Sequence, residues 1–204
     1  MIIRAWFSIV LCLFLAVCAQ AQAPKAVAAA PAAASGAFDR VVHIDPVVQE
    51  GKLYIDADVD FAINSDLRNA AEKGVPVYFT ADLQITSRRW WWFDKVEVDQ
   101  ALTWRIVYNA LTRQWRVGTG DLLMSEPSLD DALSLVRHIR GWDVANTSDL
   151  EPGRTYHGRM RVRLNTSLLA RPFQIDALNS SAWSLATPWK DFSFSISVDA
   201  HDPS

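Results

Sequence analysis

The feature that most constrains this chain is a two-residue alternation of apolar and polar side chains, repeated in segment after segment. Leu53, Ile55, Ala57, Val59 and Phe61 are separated by Tyr54, Asp56, Asp58 and Asp60. Val77, Phe79, Ala81, Leu83 and Ile85 alternate with Tyr78, Thr80, Asp82 and Gln84. Leu102, Trp104, Ile106 and Tyr108 do the same, with Val107 as an exception. Near the end, Met160, Val162 and Leu164 are interleaved with Arg159, Arg161 and Arg163, and Phe192, Phe194, Ile196 and Val198 with serines. Successive strand residues point to opposite faces, so each run has one dry and one wet side. That pattern belongs to antiparallel sheet with a core on one face and water on the other. It predicts a mainly β (α+β) fold, an antiparallel sheet or sandwich with about two inserted short helices.

Turn and helix signals fill the gaps. Gln49-Glu50-Gly51-Lys52 is expected to join a strand over 41–48 to the next one, and 109–113 to return Tyr108 toward Trp115 and Val117. Gly118-Thr119-Gly120 lacks the third glycine of a dinucleotide fingerprint and is expected to be a turn. A short polar helix over 65–73 is stopped by Gly74 and Pro76. Ser128 opens a second, with Leu129, Ala132, Leu133, Val136 and Ile139 as its apolar stripe. Arg137, His138 and Arg140 are expected in its last turn, ahead of Gly141.

The N-terminus has one basic residue, Arg4, then an apolar run over 5–19 and small residues at Ala19, Ala21 and Ala23. This is the pattern of a secretory leader, expected to be cut after Ala21. The expected organisation is a leader over 1–21, an Ala/Pro-rich tether over 22–37, a single β-rich domain over 38–198 and a polar tail over 199–204. Export to the periplasm follows, with an uncleaved anchor or lipidation at Cys18 as minor alternatives and the only expected routes to membrane contact. Val17 stands where a lipidation signal wants a small residue. Both cysteines, Cys12 and Cys18, lie in the leader, so no thiol chemistry is expected of the mature chain. Losing Arg4 leaves 19 basic against 23 acidic residues, a charge of −4 that argues against nucleic-acid binding.

The stretch that reads most like a site is RRWWWFD, residues 88–94. If the strand from Val77 continued through it, Arg89 would point inward, so the strand is expected to end or bulge near Ser87. Arg88, Arg89, Trp90, Trp91, Trp92 and Asp94 then form a candidate interaction surface, since tryptophan beside arginine is a favoured hot-spot pair. A corner packed by aromatic residues, with the arginines paired to Asp94 or Asp99, is the plain structural alternative. Arg159, Arg161 and Arg163 are a secondary basic stripe, expected to pair across neighbouring strands with the row Asp56, Asp58 and Asp60. That acidic row resembles the start of a calcium loop, but Phe61 stands where glycine is needed and Leu67 where glutamate is needed. His43, His138, His157 and His201 show no metal-ligand spacing, and no G-x-S-x-G elbow occurs. No cofactor, metal or catalytic residue is expected from these patterns.

Several stretches together carry a resemblance: 74–79, Arg89 to Asp94, Y-N-A-L-T-R-Q-W-R-V over 108–117, Ile139-Arg140-Gly141-Trp142, Pro172 to Leu178, and Trp189 followed by Phe192 and Phe194. The chain resembles the exported bacterial proteins grouped as domain of unknown function 4390. The resemblance implies a single exported domain, often encoded beside a membrane sensor histidine kinase of the nitrogen-regulation type, and supplies no catalytic residue. The expected function is a non-enzymatic envelope interaction or accessory protein, with a sensor kinase as a candidate partner. A small-ligand or glycan-binding domain is the alternative, needing a pocket lined by Trp90, Trp92 or Trp104. An envelope hydrolase is the third.

Overall fold

The structure is a computed structural model that describes residues 39–88, 94–178 and 180–197. It is mainly antiparallel β, in two sheets. Strands β1 (Arg40–Gln49), β2 (Lys52–Asp60) and β7 (His138–Asn146) form a three-stranded sheet in the order β1-β2-β7. The six-stranded sheet has the order β6-β5-β4-β3-β8-β9. Its members are β3 (Val77–Ser87), β4 (Lys95–Asn109), β5 (Gln114–Thr119), β6 (Leu122–Glu126), β8 (Thr155–Leu164) and β9 (Lys190–Ser195).

The alternation fixes which faces meet. Leu53, Ile55, Ala57 and Val59 of β2 are buried, as are Phe79, Ala81, Leu83 and Ile85 of β3 and Met160 and Val162 of β8. These inner faces make one continuous core, and the Phe61 and Phe79 rings meet in it at 5.2 Å. Each fully buried Leu, Ile or Phe stabilises the fold by about 1.5–3 kcal/mol relative to its exposed state.

Local chemistry sets the corners. Between β1 and β2, Glu50 and Gly51 both take positive φ, 51° and 75°, as a two-residue turn that follows strand twist requires. Between β4 and β5, the Asn109 carboxamide oxygen accepts from the N–H of Leu111 at 3.0 Å and of Thr112 at 3.3 Å. This side-chain bond folds the Y-N-A-L-T-R-Q run back on itself. Gly118 and Thr119 belong to β5 rather than to a turn, and only Gly120 turns the chain, with φ 56°.

Helix α1 (Ser65–Glu72) is capped by Asn64, whose Oδ1 accepts from Leu67 N–H at 2.9 Å. Helix α2 (Leu129–Arg137) is capped by Ser128, whose Oγ accepts from Asp131 N–H at 3.1 Å. α2 is shorter than its apolar stripe suggests. It stops at Arg137, whose guanidinium donates to the Phe61 carbonyl at 3.1 Å and lies 5.2 Å from that ring. His138 and Arg140 are therefore strand residues, not helix-terminal ones. β7 is hidden from the alternation because Arg140 and Gly141 together oppose the single residue Asp56. This bulge, with Gly141 at φ 61°, spaces the buried Ile139 and Trp142 three residues apart. A third helix, α3 (Arg171–Leu178), was also not expected. Among the described residues no helix is long and apolar enough to cross a membrane.

Candidate functional site

β3 ends at Ser87 and β4 starts at Lys95, and these two residues pair. Residues 88–94 are thus the connection of a long hairpin, and the strand ends where the position of Arg89 requires. Arg88 and Asp94 are exposed. The Arg88 carbonyl accepts from Arg154 Nη2 at 3.2 Å. Arg89, Trp90, Trp91 and Trp92 of the candidate surface, with Phe93, lie outside the described residues.

The basic stripe is present, but its partners differ from those expected. Arg159, Arg161 and Arg163 stand on the outer face of β8, in the six-stranded sheet, whereas Asp56, Asp58 and Asp60 are on β2, in the other sheet. The two rows do not pair. Alternation fixes the face of a side chain, while the sheet to which a strand belongs depends on long-range order that local period does not carry.

On β8, Arg161 Nε donates to Asp82 Oδ2 at 2.9 Å, and Arg163 donates to both oxygens of the same carboxylate, from Nε at 2.8 Å and Nη2 at 3.2 Å. Arg159 Nε reaches Gln84 Oε1 at 2.9 Å. The guanidiniums of Arg159 and Arg161 lie 4.8 and 4.6 Å from the Trp189 ring. Burial pushes the Asp82 carboxyl up, and the hydrogen bonds and charges of Arg163 and Arg161 outweigh it, holding the group below the ordinary aspartate value. On β2, Asp58 Oδ1 meets His138 Nδ1 at 2.9 Å and accepts from Arg140 Nη2 at 2.6 Å, and these hydrogen bonds lower its pKa. Asp56 Oδ1 accepts from the Gly141 N–H at 2.6 Å and so closes the bulge. Asp56 and Asp58 are thereby tied to β7, and among the described residues no group of three or more metal-binding side chains occurs.

Three open cavities matter. One, of about 520 Å³, is lined by Gln84, Thr86, Asp94, His157, Arg159 and Asp191. It joins the end of the 88–94 connection to the basic stripe, which are distant in sequence. A second, of about 450 Å³, lies beside Tyr108 and Trp115, whose rings meet at 5.1 Å with their planes tilted by 48°, and includes Arg113 and the Arg68–Asp130 ion pair. A third, of about 540 Å³, separates β4 from β7. Trp104 lines none of the three and is buried in the core, so it is not the pocket wall that the ligand-binding alternative needs. Asp82 and Trp189 were not anticipated as part of the stripe. Asp82 lies midway along β3 and is brought to the arginines by the β3–β8 register, while Trp189 directly precedes β9 and reaches them through the β8–β9 pairing.

With this geometry in view, the comparisons with known proteins are decisive on one point. The family model described as Domain of unknown function (DUF4390) matches residues 40–193. The chain belongs to this family. The match runs from the first residue of β1 to within β9, so the DUF4390 region contains both sheets. No curated protein and no solved structure matches the chain.

Proposed function

We propose that this DUF4390 protein is an exported, periplasmic interaction module that binds another envelope protein through the outer surface running from the 88–94 connection to Arg159, Arg161 and Arg163. The observation that carries this is the groove lined both by Asp94, the last residue of the tryptophan- and arginine-rich 88–94 connection, and by Arg159 of the basic stripe. Aromatic side chains and arginine are the residue types that dominate binding energy at protein interfaces. Support for the periplasmic setting comes from the secretory leader, and the proposed class of partner is a membrane protein with exported loops, such as a sensor histidine kinase. The proposed chemistry at the groove is recognition, with the exposed carboxylates of Asp94 and Asp191 beside Arg159 offering charge to a partner. The second class, a glycan or small-ligand binder, draws on the cavity beside Tyr108 and Trp115 alone. Trp115 is only 6% exposed, which leaves little ring face for stacking.

The test is cross-linking and capture from cell envelopes with the purified protein and a Trp90→Ala/Trp92→Ala variant. A specific partner is expected with the wild type, and the variant is expected to bind it about thirtyfold more weakly while melting normally. Equal capture by both, or a variant that unfolds because its tryptophans are core, overturns the proposed surface.

A further inference from the structure

Among the described residues, a groove runs along the side where β4 and β7 approach each other. β5 pairs with β4 only over residues 104–109, so among the described residues 95–103 of β4 carry no strand on that side. β7 is itself the edge of the three-stranded sheet. Between them lies the 540 Å³ groove, lined in part by Glu97, Asp99, Gln100, Asp143, Asn146 and Asp149.

The register shows which backbone groups the open edge of β4 presents. Thr187 N–H donates to the Val162 carbonyl at 2.8 Å, and Leu164 N–H donates to the Leu185 carbonyl at 2.8 Å. Even-numbered residues of β8 therefore aim their peptide groups away from β3. Antiparallel alternation turns Arg161 and Arg163 toward β3, and their partners Asp82 and Thr80 toward β8. Ala81 and Leu83 are left to bond β4, where they oppose Leu102 and Gln100. Asp99 and Ala101 consequently direct their N–H and C=O groups away from β3, to the open side, and Thr103 its N–H, while the Thr103 carbonyl faces Gly120 beyond the Trp104–Thr119 pair.

An edge of this kind is completed by an added extended strand. Charge selects the occupant. Four carboxylates and no Lys or Arg line the groove. Lys52 and Lys95 reach Asp143 and Glu97 from outside, each at 2.6 Å, while among the described residues Asp99 and Asp149 meet no cation. A second copy docked edge to edge about a twofold axis would set these carboxylates against themselves. The 22–37 segment of the chain offers a single basic residue, Lys25, and is interrupted by Pro24 and Pro31. We infer that the seam between β4 and β7 is a strand-docking site for an extended, Lys- or Arg-bearing segment of a partner protein. Its backbone pairs with Asp99, Ala101 and Thr103, and its basic side chains face Asp99 and Asp149. This rests on the interaction role proposed above and adds a second contact to it.

The probe is a fluorescein-labelled (Val-Lys)4 peptide amide titrated into the full chain at low and high salt, with (Val-Glu)4 as control. The lysine peptide is expected to bind and to slow amide exchange at Asp99, Ala101 and Thr103 by about tenfold or more, and the glutamate peptide is not. Ala101→Pro removes one outward N–H without touching the bonds to β3, and is expected to weaken the lysine peptide by about tenfold at unchanged melting temperature. Asp99→Asn/Asp149→Asn leaves every backbone group in place and is expected to lower affinity and flatten its salt dependence, which keeps the test open if the proline variant does not fold. Unaltered exchange at the three amides, or equal binding of the two peptides, overturns the site. So does protection already present in the free chain, whether independent of concentration, from its own N-terminal segment, or rising with concentration, from a second copy. An envelope partner captured equally by wild type and by Ala101→Pro overturns the strand site alone, whereas a wild-type chain that captures nothing removes the interaction role with it.

Discussion

Asp58 on β2 and Asp82 on β3 look alike in the sequence: each sits on the polar side of an alternating strand, and each is bound by two cationic-type side chains of a neighbouring strand. Their surroundings differ. The Asp58 side chain is 36% exposed and its partners His138 and Arg140 are 59% and 52% exposed. Asp82 is 18% exposed, between Arg161 at 34% and Arg163 at 33%. The Asp58 cluster works in nearly bulk solvent, where an ion pair gains little over the hydrated ions. Asp82 sits where water competes less, under two guanidiniums that are themselves fixed, Arg161 by the Trp189 ring and Arg163 by its two-oxygen contact. The same local pattern therefore yields a link that is mostly geometric in one sheet and one that is energetic in the other.

The sharpest way to break the comparison is to remove the better-sheltered carboxylate. Asp82→Ala leaves Arg161 and Arg163 half-buried without their acceptor, and is expected to cost about 2 kcal/mol and lower the melting temperature by about 6 °C. Denaturant and thermal unfolding check this. A loss no larger than that of the corresponding Asp58 substitution would show that burial does not separate the two clusters.

Acid titration comes next. The folded-state pKa of Asp82 is lowered, so the stability it contributes is fully present above the unfolded aspartate value of about 3.9 and is lost as pH falls through the folded value. The stability difference between wild type and Asp82→Asn is expected to be flat from about pH 7 to pH 5 and to shrink below about pH 4, as followed by urea unfolding at each pH. A difference that grows on acidification has the wrong sign for an ionised, arginine-bound carboxylate.

What the sequence displayed and what it concealed follow the same division between local and long-range causes. The faces of β2, β3, β8 and β9 were legible because a buried strand face must be apolar at every second residue. The helix start at Ser128 belongs to local chemistry as well. β7 was not legible, since the bulge at Arg140 and Gly141 breaks the two-residue period, and Ile139 completes a helical stripe as well as it begins a strand. α3 was missed because Phe173 and Ile175, two of its larger apolar residues, are exposed and two apart rather than at helical spacing. The arginine stripe was visible as a row, but its acceptor Asp82, its stacking partner Trp189 and the open edge of β4 all depend on strand order. Charge complementarity alone favoured the wrong acidic row, because rows of opposite sign on different sheets look as well matched in sequence as rows on adjacent strands.

The smallest effect is the one that shows why the clusters differ. Asp58→Ala removes the acceptor of His138 and Arg140, yet both keep access to water, and Arg140 retains its bonds to the carbonyls of Ala57 at 2.9 Å and Ile139 at 2.7 Å. The expected loss is about 0.5 kcal/mol at low ionic strength. In 1 M NaCl the screening length falls to about 3 Å, comparable with the separation of the charges themselves, so most of that loss should vanish. The Asp82→Ala loss should largely survive the same salt, because a half-buried acceptor that completes two guanidinium hydrogen bonds is not replaced by a diffuse ion atmosphere. Unfolding of the two variants at both ionic strengths gives four differences to compare. If salt erases both losses equally, the Asp82 cluster is as exposed in solution as the Asp58 cluster, and the outer face of β8 has its arginines free for an anionic partner. If only the Asp58 loss is erased, Arg161 and Arg163 are held by the fold, and Arg159, bonded to neutral Gln84 and stacked on Trp189, is the member of the stripe with charge to offer.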